Sequence, residues 1–251
     1  MPPLRGVGVL VTRPLAQSQS LCALLEAQGA RTWRLPVLEI RGIDASPVRG
    51  PFDLVLFTSA NAVRHADLLL PDLADASVAA IGPATTRALQ AAGRSVDVQP
   101  LSGVDSEALL AHPRLAALAG QRVLLVKGRG GRELLQRALQ DRGAHLQVAE
   151  VYERVPIPAD ADALSALERH AAAGQVHAIV VTSVDIGTRL LEVLPPALRR
   201  ALGSALWIVP SARVAAALQA QGLEAPIRLA RAADDQGLLA ALLESRGPST
   251  A

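Results

Sequence analysis

The sequence predicts an α/β protein: two similar domains with parallel sheets, joined by a two-stranded linker. Three observations carry that expectation. Short apolar runs alternate with helical patterns along the whole chain, the signature of parallel strands covered by helices. The stretch Asp53–Gly93 (DLVLFTSANAV…AAIGPATTRALQAAG) recurs as Val176–Gly222 (VHAIVVTSVDIG…LWIVPSARVAAALQAQG). Two proline-bearing extended segments, 34–40 and 150–158, bracket one domain's worth of chain. In each copy of the repeat an apolar run ends in Thr-Ser (Thr58-Ser59, Thr182-Ser183), and a helical pattern follows. A second apolar run meets Pro83 or Pro210, and a further helix stops at Gly93 or Gly222. A repeat this long means related domains rather than a solenoid, whose period is about 20–50 residues. Two similar ligand-facing strand edges would then exist, with the cleft between them as the natural site.

In chain order, Gly6–Thr12 (GVGVLVT) reads as a buried strand, and Leu15–Gln28 as a helix stopped by Gly29. Thr32–Ile40 (TWRLPVLEI) is extended, with Pro36 marking an edge strand or a connector that leaves the first sheet. Arg41–Pro51 is a loop. Strands follow at Leu54–Phe57, Ser77–Ile81, Ser95–Gln99 and Arg122–Val126. Helices are expected at Asn61–Leu70, Ala84–Ala92, from Ser106 to Ala111 with Asp105 or Ser106 as cap, and Glu133–Arg142. Leu146–Arg154 alternates and runs into Pro156 and Pro158 as the second connector. Helix resumes from Asp162. Strands at His177–Val181, Ala205–Val209 and Ile227–Ala230 then alternate with helices at Gly187–Val193, Val214–Ala220 and Asp234–Glu244. Because 41–150 already forms a complete unit, the first strand and helix join the last part of the chain in a discontinuous domain.

Composition narrows the function. The chain has 251 residues, half of them apolar, and a net charge of only +2. Aromatics are limited to Trp33, Trp207, Tyr152, Phe52 and Phe57, too few for nucleic-acid stacking platforms. The arginines are scattered, which disfavours a DNA or membrane surface and suits a small anionic ligand. Cys22 is the single cysteine, so no internal disulfide forms and a reducing cytosol is expected. MPPLRG lacks the features of a signal peptide, and no apolar run reaches the ~18 residues of a membrane span. The five histidines show no metal-ligand spacing, so no metal is expected.

The recurrent chemical feature is a strand ending in small polar residues before a helix. It appears at Thr12-Arg13, Thr58-Ser59 (followed by Ala60 and Asn61), Gly82-Pro83-Ala84-Thr85, Lys127-Gly128-Arg129, Thr182-Ser183 and Pro210-Ser211. Such turns either bind anions through helix N-termini or serve only as N-caps. In open α/β sheets ligands sit at the carboxyl ends of strands. Arg13 and Arg129 are the candidate side-chain anion ligands, with solvation as their other reading. Tyr152, the only tyrosine, is either a proton donor facing a cleft or a packing residue. KGRGGRE lacks both the GxxxxGK[ST] pattern and the third glycine of GxGxxG, so a nucleotide loop is poorly supported.

Taken together, VLVTRP, LPVLEI, DLVLFTSANAV, AAIGPATTRAL, RVLLVKGRGGRELL, VYER and HAIVVTS resemble the uroporphyrinogen-III synthase family over roughly residues 6–243. The resemblance implies domains of 1–35 plus 158–251 and of 41–150, with 36–40 and 151–157 as linker strands. It implies cofactor-free cyclisation of hydroxymethylbilane, a linear tetrapyrrole with eight carboxylates, with inversion of ring D through a spiro intermediate. A cytoplasmic monomer is expected, in transient contact at most with the upstream hydroxymethylbilane synthase. By position Tyr152 matches the family's linker tyrosine, the acid toward the leaving hydroxyl. Thr85 and Thr58-Ser59 match its other turns. Arg13, Ala60, Asn61, Gly82, Lys127, Gly128, Arg129 and Ser183 complete the expected substrate contacts. At the second domain's counterpart turn the chain departs from the family, carrying Ser211-Ala212-Arg213, so Ser211 and Arg213 are the contacts expected there. The rival readings are an anion-binding sensor without turnover and a transferase using the KGRGG loop.

Overall fold

A computed structural model describes residues 1–44, 48, 50–66, 75–131 and 133–246. Its strands are β1 (Gly8–Val11), β2 (Arg31–Arg34), β3 (Leu38–Gly42), β4 (Leu54–Phe57), β5 (Ser77–Ala80), β6 (Arg122–Gly128), β7 (His145–Pro156), β8 (Ala178–Val180), β9 (Leu206–Val209) and β10 (Ile227–Leu229). Its helices are α1 (Leu15–Ala27), α2 (Ala60–Arg64), α3 (Pro83–Ala91), α4 (Ser106–Leu110), α5 (Leu134–Asp141), α6 (Ala161–Ala172), α7 (Val184–Val193), α8 (Pro196–Ala201), α9 (Ala212–Ala220) and α10 (Asp235–Glu244). The chain divides into two compact units. One gathers Met1–Glu39 with the chain from Val155 onward; the other is continuous, Ile40–Arg154.

The first unit holds a five-stranded sheet in the order β10-β9-β8-β1-β2, and β1 to β2, β1 to β8, β8 to β9 and β9 to β10 all pair in parallel. Alternate side chains feed two cores, as a sheet covered on both faces requires. Leu10, Ile179, Trp207 and Val209 belong to one, while Val9, Val11, Ala178 and Ile208 belong to the other. Helix α1 lays Leu21, Cys22 and Leu25 on the second core and ends before Gly29, whose φ of +89° suits glycine.

The second unit orders its sheet β3-β7-β6-β4-β5, and Val98 bridges Ala79 on the outer side of β5. Val55, Phe57 and Val126 pack on one face with Tyr152, while Leu54, Leu56 and Leu125 pack on the other. Strand for strand, β2-β1-β8-β9-β10 of the first unit corresponds to β7-β6-β4-β5 and the Val98 bridge of the second. The duplication read from the sequence is therefore a duplication of topology. The strand expected over Ser95–Gln99 is reduced to that single bridge.

Other differences have local causes. Thr32–Ile40 is two strands, β2 and β3, in different sheets, with Leu35-Pro36-Val37 between them. The linker strands expected at 36–40 and 151–157 fall on β3 and β7, neighbours in the second unit's sheet, but β7 already begins at His145, well before the expected linker. Helix α8 was not expected, because Pro195-Pro196 reads as a breaker. Here Pro196 occupies the first helical position, where its missing N–H costs nothing. Helix α2 is only five residues long; positions 67–70 of the longer helix expected there lie outside the described residues.

Candidate active site

In the second unit the carboxyl ends of β4, β5 and β6 lead into the polar turns singled out above. Thr58 follows β4, and both its N–H and its hydroxyl point to the Val126 carbonyl, at 3.1 and 3.3 Å. Ser59 is extended, and its Oγ accepts the Ala62 N–H at 3.0 Å, capping α2. Ala60 opens that helix, and Asn61 accepts from Arg64 at 3.2 Å. After β5, Gly82 is the N-cap of α3. Thr85 is buried in its first turn, with its N–H on the Gly82 carbonyl at 3.0 Å. Lys127 and Gly128 end β6, both buried, where the register against β7 shifts.

Tyr152 stands opposite Gly128 in β7. A Cβ on Gly128 would lie 2.5 Å from the tyrosine Cζ, so the glycine makes room for the ring. The side chain is 1% exposed, which favours the packing reading over that of a donor facing a cleft. Its strand runs from His145 to Pro156, and the core of that face closes over the ring. The Tyr152 hydroxyl is 3.1 Å from Ser59 Oγ and accepts from Arg154 at 3.1 Å. Arg154 also lies over the ring, its Cζ 5.4 Å from the centroid, and the exposed His65 ring is 6.0 Å away. Neither Arg154 nor His65 was singled out in the sequence. The signal for Arg154 was available: residues i and i+2 of a strand share a face. Nothing local marks His65.

The two arginines expected as anion ligands already have carboxylate partners. Arg129 binds Glu153 at 3.0 Å and lies 3.6 Å from Glu150, while its N–H donates to the Tyr152 carbonyl at 2.7 Å. Arg13 is ion-paired with Asp235 in the first turn of α10. Around Arg13 in the first unit, the buried Thr12 donates to the Val180 carbonyl at 2.7 Å. Ser183 caps α7 through the Ile186 N–H at 3.2 Å, and Ser211 caps α9 through Val214 at 3.4 Å. Arg213 is exposed in the first turn of α9. The structure thus gathers Thr58, Ser59, Gly128 and Tyr152 into one cluster, and it supports the capping reading of Ser59, Ser183 and Ser211. Among the described residues no three His, Cys, Asp or Glu side chains group as a metal site would require, and no helix is long and apolar enough to cross a membrane.

Fold and site together define a class: a duplicated α/β protein whose strand ends carry hydroxyls, capped helices and a buried tyrosine held by an arginine. The model of uroporphyrinogen-III synthase HemD matches residues 19–240. The uroporphyrinogen-III synthase of Escherichia coli (strain K12) is 32% identical over 94% of this chain and 100% of its own. That of Salmonella typhimurium is 33% identical over the same shares. Among solved structures, a mutant uroporphyrinogen III synthase from the extremely thermophilic bacterium Thermus thermophilus matches with a TM-score of 0.55 and 25% identity, over 95% of this chain and 99% of that one. The Helicobacter pylori enzyme, with a TM-score of 0.64 and 17% identity over 95% and 99%, shares the fold. The chain belongs to the uroporphyrinogen-III synthase family.

Proposed function

We propose that the protein cyclises hydroxymethylbilane to uroporphyrinogen III, losing water and inverting ring D through a spiro intermediate, in tetrapyrrole biosynthesis. The observation that carries this reading is the similarity to named synthases along nearly the whole of both chains. The chemistry needs an acid near the leaving hydroxyl, and the Tyr152–Ser59 pair offers hydroxyl protons on one cluster. Loss of water leaves an electrophilic azafulvene. Attack by the substituted carbon of ring D gives the spiro compound, which fragments and recloses as isomer III. The linear substrate also closes unaided to isomer I, so the protein's main task is to impose geometry.

The substrate's carboxylates suit the N–H groups at the starts of α3, α7 and α9, together with the Lys127 ammonium and the exposed Arg213. The five-residue α2 contributes little dipole, so Ser59 serves through its hydroxyl rather than its helix. A cytoplasmic monomer acting without a cofactor completes the reading.

The test couples the purified chain to hydroxymethylbilane generated in situ, then oxidises and separates the porphyrin isomers. Excess isomer III over the unaided isomer I is expected. Isomer I alone, from folded protein, would overturn the reading and leave an anion-binding module without turnover.

A further inference from the structure

The hydroxyl network around Tyr152 has a direction. Arg154 carries only donors, so the tyrosine oxygen gives it a lone pair. The tyrosine's own hydrogen is buried and needs an acceptor. Among the described residues, Ser59 Oγ, at 3.1 Å, is the acceptor in reach. Were Ser59 the donor instead, the buried Tyr152 hydrogen would have nowhere to go. Ser59 Oγ also accepts the Ala62 N–H at 3.0 Å, so both of its lone pairs are used. What remains is the Ser59 hydrogen. It has no acceptor among the described residues, and Ser59 is half-buried where Tyr152 is 1% exposed. The corresponding Ser183 caps α7 but has no tyrosine behind it.

We propose that Ser59 is the catalytic residue that hands a proton to the leaving hydroxyl, as the outer end of an Arg154–Tyr152–Ser59 relay. The assignment rests on the synthase reading. In the step, the Ser59 O–H bond breaks as its proton joins the substrate's terminal hydroxyl. The C–O bond then cleaves and water leaves with that electron pair. The Tyr152 proton moves to Ser59 Oγ in concert, so the serine never carries charge. The phenolate that results faces the Arg154 guanidinium. The proton returns when the free α-carbon of ring D loses its hydrogen at final ring closure, so the relay is restored and only water is released. Tyr152 and Arg154 act through Ser59 as positioning residues.

The test separates proton delivery from helix capping. Glycine is well tolerated at an N-cap, but it has no hydroxyl. Threonine keeps both cap and donor. Ser59→Gly is therefore expected to lower kcat about 100-fold, with KM within about threefold and an almost unchanged melting temperature. Ser59→Thr should restore most of the rate. Because the three residues act as a unit, Ser59→Gly combined with Tyr152→Phe should lose no more than the worse single variant. A Ser59→Gly enzyme with wild-type kcat, or losses that multiply in the double variant, would overturn the relay. If Ser59→Gly unfolds, Ser59→Asp, which keeps the cap without a proton, takes its place with the same criteria. Wild-type protein in the same assay fixes the other branch: failure to make isomer III there refutes the synthase reading itself, not the relay.

Discussion

Gly128 and Tyr152 face each other across adjacent parallel strands so closely that a single methyl group on the glycine would meet the tyrosine Cζ at 2.5 Å. Gly128→Ala must therefore displace the ring or bend the strand. The expected cost is about 1–3 kcal/mol, the range for overpacking a filled core. Because the ring carries the hydroxyl, kcat should fall as well. Thermal denaturation and the coupled isomer assay measure the two effects. A Gly128→Ala protein with unchanged melting temperature and rate would mean that the ring is not held there.

Tyr152→Phe keeps the ring in its core and removes the hydroxyl. Its loss of stability should be only about 1 kcal/mol, the net worth of an ordinary hydrogen bond. Turnover, however, should drop about 100-fold, and product affinity, measured by titration, should stay within about threefold on the same argument. Unchanged turnover would remove Tyr152 from the proton path.

Asp235 competes with any substrate carboxylate for Arg13. Asp235→Asn is expected to free the guanidinium and lower KM about fivefold, equivalent to about 1 kcal/mol. Arg13→Gln should raise KM. Steady-state kinetics on both variants decides the matter: no change in either places Arg13 outside the site.

Raising ionic strength from about 0.05 to 0.5 M shortens the Debye length severalfold. For a substrate with many carboxylates, KM should rise across that range while kcat changes little. A salt-independent KM would mean that recognition does not run through exposed charge.

How much of this was legible in the sequence followed how local each feature is. Ser59, Ser183 and Asp105 cap their helices as their positions before helical patterns foretold, because capping is settled within three residues. The apolar runs gave the strands for the same reason. The burial of Tyr152 depends on a residue of another strand, and VYER alone reads as a connector. Pairing is just as remote: Arg13 finds Asp235 at the other end of the chain, and no spacing rule joins them. Helix α8 is not legible locally because two prolines signal a break, although one of them starts a helix.

The place of β1 in its sheet has a consequence for biosynthesis. Its neighbours are β2, which follows directly, and β8, which is made only after the whole of Ile40–Arg154 has been translated. The continuous unit can therefore close on the ribosome while Val9, Leu10 and Val11 still lack half of their sheet. Sequence-distant pairing is slow, and unpaired apolar strands recruit other chains. The interval between translating β2 and β8 is thus when the nascent protein is most exposed to aggregation, and a holdase that masks β1 would act there.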